Sequence, residues 1–188
     1  MSGRIIGHEV EPMRLRKINE EVYTVSDNIA SLDRQTIRKL KAVSKTNSKK
    51  RTRINIHHSL SEPVHEMFIV HKKITYIRPH KHLKKKESLH ILEGEATIVF
   101  FDEKGRIIKV MPMGNYTSGK IFYYKLPSSI YHSMIIKTDY LICQETAKGP
   151  FVKSDKYNAP WSPEENDTKA IKKYMKILST NVFKFLKK

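Results

Sequence analysis

The chain has one cysteine, Cys143, in 188 residues. No internal disulfide can form, which fits a reducing cytoplasm. Cys143 sits in the apolar stretch Leu141-Ile142-Cys143 and reads as a small buried hydrophobe. Long apolar runs are also missing. No segment approaches the ~18–20 residues needed to span a bilayer. The N-terminus, MSGRIIGHEV, has no apolar signal core. These absences predict a cytoplasmic protein, soluble or at most peripheral. Acidic residues are few, 19 against 36 Lys and Arg. Zinc-finger spacing, an RNP-type aromatic motif and a groove-reading helix are all lacking, so nucleic acid is not the expected partner.

The formal net charge is +17. A surplus this large points to an anionic small molecule such as a nucleotide-linked sugar, or to an acidic lipid surface, although a Lys-rich composition is an equally ordinary source. Hydrophobic residues make up 39% and charged residues 29%, the balance of a globular chain long enough for one domain with terminal additions.

The pattern divides the chain at about residues 53 and 150. Residues 1–53 form an N-terminal extension. Its helix is expected to open at Ser31-Leu32-Asp33 and run to Ser44, with Leu32, Ile37, Leu40 and Val43 as its apolar stripe. The basic stretch KTNSKKRTR then reads as an exposed loop. Residues 54–150 carry short β-rich runs: Met67–Tyr76, Ser88–Leu92, Ala96–Phe101, Ile107–Val110, Ile121–Leu126, Tyr131–Ile136 and Tyr140–Gln144. Bends fall at Glu93-Gly94-Glu95 and Asp102-Glu103-Lys104-Gly105. That spacing predicts a sandwich or closed barrel. Residues 151–188 form a helical tail. Ser162 is its expected N-cap, with Pro163 in the first turn and Glu165 completing a capping box. From Thr168 onward there are seven lysines and no acids. This amphipathic helix is expected to pack on the barrel or on a second subunit; weak peripheral membrane contact is the other reading.

The chemistry is concentrated in Tyr76-Ile77-Arg78-Pro79-His80-Lys81-His82, followed by Leu-Lys-Lys-Lys and Glu87. Alternate residues of a strand share a face, so His80 and His82 project together. Glu87, at the start of the next strand, can face the same interior. Two imidazoles and a carboxylate suit a divalent first-row metal and leave positions open for water or substrate. His132, in the apolar strand after Pro127, needs a partner if buried and supplies a fourth ligand. The expected cofactor is one divalent transition metal: iron, manganese, nickel or zinc. On the same alternation, Tyr76 and Arg78 are expected to line the cavity as substrate-binding groups, the ordinary alternatives being a core Tyr76 and an Arg78 paired with an acid at the barrel mouth. Tyr76 and Glu145 are the candidate proton carriers, with the strand parity of Glu145 left open by the sequence. His57, His58, His65, His71 and His90 read as ordinary surface or hydrogen-bonded residues.

His80, His82, Glu87 and Gly94, in the order HxH, then Glu, then Gly, resemble the first cupin motif. Pro127 to His132 resembles the second. Ile74 and Ser129 stand where each motif has a turn glycine, so the departures bear on loop shape more than on ligation. Further pieces in order resemble the WbuC-type cupin metalloproteins: Arg53-Ile54-Asn55-Ile56-His57, Pro63-Val64-His65-Glu66-Met67, Phe101-Asp102 with Gly105, Gly149-Pro150-Phe151, and Ala159-Pro160-Trp161 with Pro163. The resemblance spans roughly residues 27–165. It implies a mainly β cupin (jelly-roll) barrel with an N-terminal and a C-terminal helix, a homodimer, and a metal site in the context of bacterial surface polysaccharide (lipopolysaccharide, O-antigen). Three readings follow. The first is an enzyme on a carbohydrate or nucleotide-linked sugar, acting as isomerase, epimerase or oxygenase. The second is a non-catalytic small-ligand or sensor cupin. The third is a peripheral membrane or nucleic-acid binder.

Overall fold

The computed structural model describes residues 13–187. The N-terminal stretch read above for a signal core, residues 1–12, lies outside the described residues, as does Lys188.

Among the described residues, twelve strands build two sheets. They are β1 (Leu15–Lys17), β2 (Val22–Val25), β3 (Arg51–Asn55), β4 (Val64–Lys72), β5 (His80–His82), β6 (Glu87–Glu93), β7 (Glu95–Phe101), β8 (Ile107–Gly114), β9 (Tyr123–Leu126), β10 (Tyr131–Ile136), β11 (Tyr140–Lys148) and β12 (Lys156–Asn158). One sheet has the order β1-β2-β3-β4-β11-β6-β9 and the other β12-β5-β10-β7-β8. Neighbours are antiparallel except β2 on β3. Two helices, α1 (Arg34–Thr46) and α2 (Thr168–Leu186), complete the described chain.

The side-chain period of two explains the layering. In β7, Ala96, Ile98 and Phe100 point between the sheets, where they meet Met67, Ile69, Leu89, Leu141 and Cys143. Val99 and Phe101 point the other way, onto Leu178 and Val182 of α2. In β11, Leu141 and Cys143 face inward, while Ile142 joins Val70, Ile54 and Leu40 under α1. Strands covered on both faces read as continuous apolar runs, which is why β7 and β10 stand out in the sequence. Each fully buried aliphatic side chain at these faces contributes about 2 kcal/mol from burial alone.

Several boundaries differ from the sequence reading. α1 starts at Arg34, inside the expected opening, because the Asp33 carboxylate caps it, accepting from the Thr36 N–H at 2.7 Å, and it runs to Thr46 rather than Ser44. The C-terminal helix starts at Thr168 rather than after Ser162. Ser162 is committed elsewhere: its hydroxyl donates to the Ala159 carbonyl at 2.7 Å and accepts from Arg78 Nε at 3.1 Å. Glu165 pairs with Lys49 at 2.6 Å, and Asp167 supplies the cap instead. The supposed loop KTNSKKRTR ends in β3, where Thr52 is fully buried. The expected boundary at residue 53 therefore falls inside a strand, and β1 and β2 extend the same sheet.

Gly94 makes the bend between β6 and β7 at φ +85°. A Cβ there would overlap the Tyr140 carbonyl oxygen and the Thr138 hydroxyl. Gly94→Ala combines a left-handed backbone with that overlap and is expected to cost about 2–3 kcal/mol. Urea unfolding checks it; an unchanged midpoint would refute the account of this bend. Ser129 adopts φ +70° without being glycine. The backbone conformation of the second motif's turn is thus kept although its glycine is absent, and the Ser129 N–H donates to the His82 carbonyl at 2.6 Å.

Candidate metal centre

β5 is only three residues long, yet it sets the site. His132 of β10 lies opposite His80 in register, and Lys156 of β12 lies opposite His82. The ring centroids are 4.6 Å apart for His80 and His132, 5.3 Å for His80 and His82, and 6.4 Å for His82 and His132. Glu87 opens β6 and reaches in from the other sheet. Its Oε1 lies 2.8 Å from His132 Nε2 and its Oε2 lies 3.4 Å from His82 Nε2. All four side chains are nearly buried. The structure therefore brings His80, His82, Glu87 and His132 to one place.

The outward ring nitrogens are anchored. His80 Nδ1 donates to the Arg78 carbonyl at 2.8 Å, and His132 Nδ1 donates to the Ile130 carbonyl at 3.0 Å. His82 Nδ1 faces Asp155 Oδ2 at 3.4 Å. Such outer partners fix the tautomer and turn Nε2 inward. Asp155 also accepts from the Lys84 N–H at 2.7 Å and the Lys85 N–H at 3.2 Å, so one carboxylate sets both the LKKK turn and the His82 ring.

Among the described residues, no three His, Cys, Asp or Glu side chains have the spacing of a ready-formed metal site. The Glu87 carboxylate is hydrogen-bonded to His132 instead. The donor set nevertheless fits a divalent first-row ion: nitrogen and carboxylate donors with anchored outer partners, at a buried point open to a cavity. Both nitrogens of His132 face acceptor oxygens, so a metal at Nε2 would replace a proton there.

Burial and the neighbouring His132 hold His80 well below the usual histidine range. Burial, with Lys85 beside it, takes His82 to about 4. For Glu87, burial favours the neutral acid, but the His132 hydrogen bond and the charges of His132, Lys85 and His82 outweigh it. The carboxylate stays ionised well below its ordinary range, as a ligand requires.

The site opens into a cavity of about 1000 Å³ on the inner face of the larger sheet. Eight Lys and Arg but only five Asp and Glu line it. Glu145 is among them. Lys85 Nζ sits 3.4 Å from Glu145 Oε1 and 3.3 Å from Glu87 Oε2, so one ammonium ties the two carboxylates. Tyr124 also lines the cavity, and burial with the charges of Glu87 and Glu145 keeps it a phenol.

The expectation for Tyr76 and Arg78 is corrected. Residues 75–79 are not a strand, so alternation does not apply before His80. The Tyr76 hydroxyl donates to the Pro163 carbonyl at 3.1 Å, its ring packs against Tyr174, and burial pushes its pKa up to about 12. Arg78 touches the cavity wall, but its guanidinium is turned away. It pairs with Glu164 at 2.5 Å and donates to Ser162 Oγ at 3.1 Å and to the Ala159 carbonyl at 3.4 Å. Arg78 anchors the C-terminal segment rather than a ligand.

Sequence reasoning missed Lys85, Tyr124 and Asp155. Lys85 was hidden in a lysine run, and Asp155 lies 73 residues downstream of His82, beyond any local spacing signal. His57, expected at the surface or hydrogen-bonded, meets the Glu66 carbonyl at 3.2 Å. It is buried in the cavity wall with His65 and His71, stacked on His65 at 4.1 Å.

A family described as a domain of unknown function (DUF6016) matches residues 32–113. No curated protein matches the chain. Among solved structures, protein SO0799 from Shewanella oneidensis superposes with a TM-score of 0.51 at 9% identity, covering 72% of this chain and 88% of that one. CapF, solved with the inhibitor 3-isopropenyl-tropolone, gives 0.49 at 12% identity over 60% of this chain and 32% of its own. Oxalate decarboxylase from Bacillus subtilis gives 0.46 at 19% identity over 57% and 27%. The fold is mainly β, a two-sheet jelly-roll barrel with two α-helices. No helix among the described residues is long and apolar enough to cross a membrane.

Proposed function

We propose that this cupin is a WbuC-type metalloprotein that binds one divalent transition metal through His80, His82, Glu87 and His132. Its substrate is a carbohydrate or nucleotide-linked sugar used in surface-polysaccharide (lipopolysaccharide) synthesis. The observation that carries the reading is a cluster of three imidazoles with anchored outer nitrogens, two of which, His82 and His132, face one ionised carboxylate. When bound, the metal supplies Lewis acidity toward a substrate oxygen.

The rest is the work of the chain. Lys85 keeps Glu87 and Glu145 apart yet close, compensating two buried negative charges. Glu145, on the cavity face and free of backbone duties, is the group placed to take a proton from a substrate carbon. Tyr124 replaces Tyr76 as the phenol that can donate a hydrogen bond to a sugar oxygen. The basic lining favours a ligand with negative charge.

The test is turnover of a panel of nucleotide-linked sugars by metal-loaded and chelator-stripped protein. Turnover that requires the metal and falls at least tenfold in Glu145→Gln is expected. Equal turnover without metal would overturn the reading, and metal-dependent binding with no turnover would leave a ligand-binding module in place of an enzyme.

A further inference from the structure

Four apolar side chains at one edge of the cavity stand out in water: Leu60, Leu83, Phe151 and Val152 are 57%, 44%, 58% and 53% exposed. Topology puts them together. Lys148 lies opposite Val64, and Ala147 lies opposite Glu87, so β4 begins, β11 ends and β6 begins at the same end of the larger sheet. Three loops leave that end, residues 56–63, 83–86 and 149–155. Backbone bonds tie them to one another. The Phe151 N–H donates to the Leu60 carbonyl at 2.8 Å, the Leu83 N–H to the Asp155 carbonyl at 3.0 Å, and the Asp155 N–H to the Val152 carbonyl at 3.0 Å. The four residues therefore share one rim.

The same rim is positively charged. Lys84, Lys86, Lys148 and Lys153 are exposed on these loops or at their base. None of them forms an ion pair among the described residues; Lys85, in the middle of the run, is the lysine that turns inward to Glu87 and Glu145. The loops hold two acids, and both are committed to the backbone. Glu62 accepts from the His58 and Ser59 N–H groups, and Asp155 accepts from those of Lys84 and Lys85.

A cluster of exposed apolar side chains edged by polar groups marks an interaction surface. Its partner must be apolar and negatively charged at once. A bilayer with anionic headgroups has both properties: the acyl boundary takes the rim side chains, and the headgroups take the ammonium groups. A second copy of this chain would set lysines against lysines, in a protein of net charge +17. A small ligand inside the cavity would leave the rim in water.

We infer that this rim is a docking surface for anionic lipid, with the mouth of the cavity turned toward the bilayer. One consequence rests on the proposed function: the sugar is then borne on a lipid and enters from the membrane side. The docking itself does not depend on the metal.

The experiment is co-sedimentation of full-length, chelator-stripped protein with vesicles of phosphatidylcholine alone, and of phosphatidylcholine with phosphatidylglycerol in equal parts. Wild type is expected to bind the anionic vesicles and to leave the neutral ones. Phe151→Ser combined with Val152→Ser, and Lys84→Glu combined with Lys153→Glu, should each weaken that binding about tenfold or more. Their urea midpoints should match wild type, since all four side chains are exposed. Phe183→Ser, at an exposed apolar position of the lysine-rich α2, should bind as wild type does. No binding to anionic vesicles, equal binding to neutral ones, or unchanged binding in both rim variants would overturn the inference. Loss of binding in Phe183→Ser with the rim variants intact would move the membrane contact to α2 and overturn it too. A dimer in sedimentation equilibrium that the Phe151 and Val152 changes dissociate would assign the rim to a second copy instead.

Discussion

Acidifying the metal-free protein from pH 7 to about 4.5 is expected to unfold it, because several buried imidazoles are kept neutral by the fold. His71 is fully enclosed in β4, its Nδ1 has no partner, and burial takes its pKa to about 3. His82 is held at about 4. His57 and His80 are displaced in the same direction, in each case chiefly by burial. All four lie below the unfolded value, so the unfolded chain takes up protons first. Stability is full above about pH 6.5 and falls as the pH drops toward the folded values. Each such imidazole removes about 1.4 kcal/mol per pH unit within its window. His71 and His82 together then remove about 5 kcal/mol over two units, comparable with the whole stability of a typical domain. Urea unfolding as a function of pH checks this. His71→Leu should flatten the slope by about one proton, and a stability constant between pH 7 and 4.5 would contradict the neutral, buried state of these rings.

Glu87→Gln is expected to weaken metal binding by about 100-fold or more, because it removes the single anionic donor while keeping its volume. The same change leaves Lys85 with Glu145 alone. Asp155→Asn should have a smaller effect, about 10-fold, since Asp155 orients His82 from outside. Titration with manganese or zinc separates the two. Equal losses in both variants would mean that the carboxylate of Glu87 is not a ligand.

Much of the barrel was legible because its central strands are buried on both faces and run as unbroken apolar segments. Tyr131–Ile136 and the bend at Gly94 are examples. The four proposed ligands were legible from spacing, since a three-residue strand is enough for the alternation of His80 and His82 to hold. Three kinds of feature were not legible. β3 looked like a loop because only Thr52 and Ile54 of its side chains are buried, between Arg51 and an exposed Arg53 that line the cavity. The run before His80 looked like a strand but lies outside one, so Tyr76 and Arg78 turn to the C-terminal segment instead. Ser162 looked like a helix cap because its competing partner, Arg78, is 84 residues away in sequence. In each case a tertiary contact decided what local pattern could not.

Metal content of the purified protein, measured by mass spectrometry beside His82→Ala, tests the central claim most directly. About one equivalent of a transition metal in the wild type, lost in the variant, is the expected result. No metal in either protein, even after reconstitution with manganese, iron, nickel and zinc in turn, would contradict it and recast His80, His82 and His132 as a metal-free binding or acid–base cluster.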